Sequence, residues 1–149
     1  MSTTRENLDD LARAGLHLIT EDEVEALIRA ARAAAFEVRR IDLRGCVGKA
    51  AWLERIAGVM DFPETFGHNW DALEDSLRDL SWLPASGYAV FVRGDAPRRV
   101  GRIWDTLLDV LESAAMDWTS RGVPFWVFVT VPPDDGEGVR PVRETPRRP

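Results

Sequence analysis

The sequence predicts an α/β domain built on a small, mainly parallel sheet. Three observations predict it. Two apolar runs, Tyr88–Arg93 and Phe125–Val131, have the continuous hydrophobicity of strands buried on both faces. The segments around them carry apolar residues at helical spacing, so from Phe36 the order reads strand, helix, helix, strand, helix, strand. Finally, the chain has 149 residues, 45% of them hydrophobic, which is enough for one domain that needs no disulfide or metal staple. The sheet is expected to have three core strands, with room for a fourth at an N-terminal edge.

Residues 1–14 are polar and read as a fraying segment or a short helix ending at Gly15. Leu16–Ile19 is a short apolar run, the candidate edge strand. Thr20 with Glu23 three residues later has the form of a capping box. Val24, Leu27, Ile28 and Ala31 then continue as one helical stripe to about Ala34. Phe36–Leu43 reads as a strand, although the step from Val38 to Ile41 breaks the alternation. Gly45–Gly48 is a turn, and Lys49–Met60 is a helix with Trp52, Leu53 and Ile56 toward the core. Asp61-Phe62-Pro63 stops it. Phe62–His68 is a loop, with Gly67 available for a positive φ. Asn69 is the expected N-cap of a helix whose stripe is Trp70, Leu73, Leu77 and Leu80. Pro84–Gly87 turns into the strand Tyr88–Arg93. Pro97 suits a helix first turn, and apolar residues from Val100 to Trp118 carry a long helix toward Gly122 before the last strand. Pro132–Pro149 is rich in proline and arginine, lacks apolar periodicity and is expected to be disordered or to lie along the surface. The expected organisation is an extension over residues 1–35, packed on a core domain over 36–131, with a tail over 132–149.

Charge narrows the function. Nineteen basic residues stand against 25 acidic ones, a net of −6, which argues against a nucleic-acid binder. Residues 140–149 hold four arginines and one glutamate, a net of +3, so residues 1–139 carry −9. The N-terminal residues have no apolar core of a signal peptide, and no run approaches the roughly 20 apolar residues of a membrane span. A cytoplasmic protein with no membrane partner is expected. The one cysteine, Cys46, excludes an intramolecular disulfide and reads as a small apolar residue after a strand.

The acids fall on helix faces. Asp71, Asp75 and Asp79 form an i, i+4, i+8 column, and only Asp71 sits in a first turn where the helix dipole favours it. Residues 61–80 hold six acids and one base. Asp105, Asp109 and Glu112 share a face of the long helix, where residues 103–120 have no base at all. The plain reading is solvated faces of an acidic protein. The alternative is a surface steering toward a basic partner. An enzyme or metal site built on these carboxylates is disfavoured, because carboxylates on the outside of a helix lack the enclosure that shifts a pKa. No metal-ligand pair, phosphate loop or nucleophile motif is present, so no catalytic residue, no metal ligand and no cofactor is assigned. His68 reads as a turn residue or a rim contact. Of six tryptophans, Trp82 is the one beside a turn and next to acids, where it is expected to be exposed as an anchor.

The segment Phe62-Pro63-Glu64-Thr65-Phe66-Gly67-His68-Asn69-Trp70-Asp71-Ala72-Leu73-Glu74-Asp75-Ser76-Leu77 resembles the barstar family, the intracellular inhibitors of barnase-type ribonucleases. The family pattern there is an apolar residue and Pro-Glu, an aromatic, Gly, any residue, Asn, an apolar residue, Asp-Ala-Leu, any residue and Asp. The resemblance extends more weakly over Phe36–Val131. It implies a parallel three-stranded sheet packed with helices, and a glycine loop and following helix that plug a ribonuclease active site. Asp71 and Asp75 match the two aspartates that carry the electrostatics, the second standing in for a substrate phosphate. Gly67 and Asn69 match contacting positions. Some positions depart from the family: Thr65-Phe66 replaces two aromatics, Glu74 a tryptophan, and His68 an acid. A later acid of the best-known member falls at Ser113, with Glu112 adjacent. The expected function is a barstar-like inhibitor, or immunity protein, of a basic nuclease, monomeric when free. Its expected partner-binding residues are Asp71, Asp75, Phe66, Gly67, His68, Asn69, Glu74, Trp82 and Glu112. The second expectation is a barstar-fold interaction module with a non-nuclease partner.

Overall fold

A computed structural model describes residues 8–94 and 101–131. Four strands, β1 (Gly15–Ile19), β2 (Glu37–Asp42), β3 (Tyr88–Arg93) and β4 (Phe125–Thr130), form one sheet in the order β1-β4-β3-β2. Every neighbouring pair is parallel. The four α-helices are α1 (Val24–Ala33), α2 (Lys49–Val59), α3 (Trp70–Asp79) and α4 (Arg102–Ser120). The expected α/β class and parallel sheet are therefore observed, and the open place at the edge is filled by β1. Leu11–Arg13 is a single 3-10 turn, capped by the Asp10 carboxylate on the Ala12 N–H. Pro97, Val100 and the tail 132–149 lie outside the described residues. Within them, the long helix starts at Arg102, behind Gly101 at φ 105°.

The two central strands explain the two apolar runs. Each side of β3 and β4 faces a core, so every residue of β4 is buried. Phe125, Val127 and Val129 of β4, with Tyr88, Val90 and Val92 of β3, meet α2, α3 and α4. Trp126 and Phe128, with Ala89 and Phe91, meet α1. The chain runs from one sheet edge (β1) to the other (β2) through α1, which packs on the second face. The helix stripe Val24, Leu27, Ile28 and Ala31 is the part of α1 that is buried there. Leu8 joins this second core, and its carbonyl accepts from the Trp126 indole N–H at 2.7 Å.

The break in alternation along residues 36–43 divides the apolar residues between the two faces of the sheet, Phe36 and Val38 packing in the second core and Ile41 and Leu43 in the main one. β2 is a sheet edge, and Arg39 is recruited to finish α2: its guanidinium donates to the Val59 carbonyl at 2.7 Å and pairs with Asp61 at 2.8 Å and Glu37 at 2.7 Å. A cation on the last carbonyls of a helix satisfies groups that have no intrahelical partner. The capping box at Thr20 and Glu23 is present, with the Thr20 N–H on Glu23 Oε1 at 2.9 Å. Cys46 is buried just beyond β2, and its carbonyl accepts from the Trp52 indole at 3.0 Å. Space requires glycine at position 87, where a Cβ would lie 2.4 Å from the Phe36 ring.

Candidate functional site

The acidic helix α3 begins as its sequence directs. Asn69 is extended at φ −140°, and its Oδ1 accepts from the Ala72 N–H at 2.7 Å. The positive φ of the preceding loop falls on His68 (φ 55°), not on Gly67. The reason is local: His68 Nδ1 donates to the Phe66 carbonyl at 3.1 Å, and its ring sits 4.7 Å from the Phe66 ring. A histidine tolerates the left-handed region better than most residues. Gly67 has ordinary room for a side chain, with Ala72 Cβ 3.4 Å away. The helix ends at Leu80, itself left-handed at φ 43°, whose N–H reaches the Ser76 carbonyl at 3.1 Å. Leucine there is strained relative to glycine. Its side chain is 1% exposed, so the core holds the strained turn in place.

Leu73, Leu77 and Leu80 face the main core, which turns Asp71 and Asp75 to solvent. Among the described residues neither aspartate has a hydrogen-bond or ion-pair partner. Asp79, next in the column, accepts from Ser81 Oγ at 3.4 Å. Two helical carboxylates without internal partners, one turn apart on a fixed helix, offer the charge that a basic surface would take up.

Glu74 differs. Its Oε2 accepts from Arg78 at 2.7 Å and from Ser113 Oγ of α4 at 2.7 Å. Arg78 also reaches Ser113 Oγ at 3.3 Å. Arg121 donates to the Arg78 carbonyl at 2.7 Å and pairs with Asp117 at 2.6 Å, while its guanidinium lies 4.0 Å over the Trp118 ring. Beneath this polar layer the buried Trp118 indole donates to the Leu77 carbonyl at 2.7 Å. These contacts join α3 to α4. Between the two helices runs an open cleft of about 430 Å³, lined by Arg78, Asp109, Glu112, Ser113, Met116 and Asp117. Met116 is 66% exposed.

Two residues expected to touch a partner are less exposed than their loop and turn positions suggest. Phe66 is buried, its ring 4.8 Å from Phe62, because the loop folds inward to cover the end of the main core. Trp82, expected to be exposed, is half-buried: it stands edge-on to Phe62 at 5.9 Å and donates its indole N–H to the Met60 carbonyl at 3.0 Å. Both aromatics brace the loop that precedes α3. Gly67, His68 and Asn69 are exposed at the start of α3, and Glu112 is half-buried on the cleft wall. Ser113, Met116 and Arg121 were not singled out as site residues. Met116 had a signal, since Asp109, Glu112 and Met116 are spaced i, i+3, i+7 and an apolar residue on that stripe must face water. Arg121 had none, because its contacts are made across helices.

Among the described residues no three His, Cys, Asp or Glu side chains form a metal-holding group, and no helix is long and apolar enough to cross a membrane. A family model described as Barstar (barnase inhibitor) matches residues 36–130, more than half of the chain. The search of curated proteins found no match to the chain.

Proposed function

Because the chain belongs to the barstar family, we propose that it is an inhibitor that blocks the basic active site of a barnase-type ribonuclease with α3. The observation that carries the reading is the pair Asp71 and Asp75: exposed, without internal partners, and on a helix whose start and end are both fixed. A nuclease active site must hold a phosphodiester, so it concentrates cationic side chains. A carboxylate presented on a rigid helix can take the place of a phosphate there, because the ordering cost has been met in folding. Asp75, a turn into the helix, would enter deepest. Asp71 and the exposed Gly67-His68-Asn69 corner would touch the rim. Glu112 and the cleft wall would extend the contact onto α4. Phe66 and Trp82 support the corner from within, and Glu74 holds α3 on α4, so all three act through position. Inhibition needs no cofactor and no bond-making by this chain, and a complex formed inside the cell would protect it from the nuclease.

The test is titration of the full chain into a barnase-type ribonuclease with RNA hydrolysis as readout. Stoichiometric inhibition that weakens as salt rises is expected, with loss of inhibition for Asp75→Ala. Inhibition by Asp75→Ala and Asp71→Ala as strong as that by the unsubstituted chain would overturn the reading. Stable association with a protein that has no nuclease activity would instead favour the second expectation, an interaction module.

A further inference from the structure

The acidic face of α3 is interrupted. Arg78 lies one turn beyond Asp75, with Cβ atoms at i, i+3 about 5–6 Å apart. At about 100° per residue it projects within about 20° of Asp71 and about 60° of Asp75 around the helix axis, so the cation shares the face with the two acids. Its side chain is 43% exposed, and its guanidinium is held at two points, Glu74 Oε2 at 2.7 Å and Ser113 Oγ at 3.3 Å. A lone surface arginine could swing away from an approaching cation. This one would have to leave a carboxylate and a hydroxyl that have few other partners, and Glu74 would then be left half-buried without its counter-ion.

We propose that Arg78 is the specificity-determining residue of this face. The inference rests on the inhibitor reading and goes beyond it by naming what the partner must present: a basic pocket for Asp75 and, about one helical turn away, an acidic side chain facing Arg78. A nuclease with a lysine or arginine at that place meets a fixed guanidinium and is rejected by like-charge contact. One with an aspartate or glutamate gains a charge-assisted hydrogen bond. The face thus reads a pattern of charge, negative, negative, positive, where a uniformly acidic helix would accept any basic surface.

The experiment displays a catalytically inactivated barnase-type ribonuclease with the residues around its active-site mouth varied among Asp, Glu, Asn, Gln, Lys and Arg. Binders are selected in parallel against the full chain, Arg78→Gln and Arg78→Glu. The wild-type chain is expected to enrich Asp or Glu at one position by tenfold or more. Arg78→Glu should enrich Lys or Arg at that same position, and Arg78→Gln, which keeps a donor toward Ser113, should show no charge preference. Equal enrichment by the wild-type chain and Arg78→Gln overturns the proposal and leaves the inhibitor reading standing. If Arg78→Glu does not fold, as judged by its melting transition, the comparison of wild type with Arg78→Gln decides alone. Failure of the wild-type chain to select any binder overturns the inhibitor reading, and this inference with it.

Discussion

Asp75 and Asp42 show how differently two carboxylates of one protein respond to their surroundings. Asp75 has no partner among the described residues and is exposed, so Asp75→Ala should leave the melting temperature nearly unchanged, within about 0.5 kcal/mol of stability. The same substitution should weaken nuclease binding by about 2–5 kcal/mol, a range to which charge pairs in complexes of this family themselves contributed. Calorimetric titration beside a thermal melt separates the two effects. Asp42, at the end of β2, accepts from the Arg44 guanidinium at 2.9 and 2.7 Å, and this hydrogen bonding holds its carboxyl down at about 2. Its folded value lies below the unfolded one, so its contribution is complete above about pH 4 and is lost as pH falls toward 2. The side chain is 46% exposed, so solvent screening limits the gain to less than about 1 kcal/mol. Denaturant midpoints of wild type and Asp42→Asn should differ slightly at pH 7 and converge near pH 2.

At the scale of elements, the position of α3 decides whether its acids can act. Its first turn depends on one side chain: Asn69→Ala removes the acceptor of the Ala72 N–H and should cost about 1 kcal/mol in chemical denaturation. Its attachment to α4 depends on a buried indole. Trp118→Phe keeps most of the apolar contact but strips the Leu77 carbonyl of its donor, an unsatisfied buried group worth about 1–3 kcal/mol. That loss should appear in the denaturation midpoint and as faster amide exchange along α3. The helix starts and stripes were legible in the sequence because they are local: Asn69, the Thr20–Glu23 box and the leucine spacing of α3 depend on neighbours within a turn or two. The joins between elements were not. Ser113, Arg121 and Trp118 meet α3 from 35 to 43 residues away, and no periodicity records which polar groups will face each other across two helices. The burial of Phe66 and the partial burial of Trp82 were not legible either. A turn position suggests exposure, but Phe62, contributed by the loop itself, gives both rings an apolar neighbour.

The whole molecule is one sheet shared by two cores. Phe125, Val127 and Val129 serve one face of β4 while Trp126 and Phe128 serve the other, so neither core can open without exposing the strands of its partner. Leu27→Ala, in the smaller core and far from α3, should therefore cost about 2–5 kcal/mol and lower one common transition, with circular dichroism and tryptophan fluorescence coinciding. Separate transitions would show that residues 8–35 unfold on their own. The sequence by itself determined the class of fold, the runs that become the central strands, the starts of the helices and the concentration of acid on α3. Each of these follows from short-range pattern, and burial on both faces of β3 and β4 leaves a signature no surface segment shares. Only the tertiary structure decided which acids remain without internal partners. Glu74, Asp71 and Asp75 are all acids of one short helix, yet Glu74 turns toward Ser113 and Arg78 while the two aspartates face water, because the packing of α3 against α4 sets which side of the helix is answered by protein and which is left for another molecule.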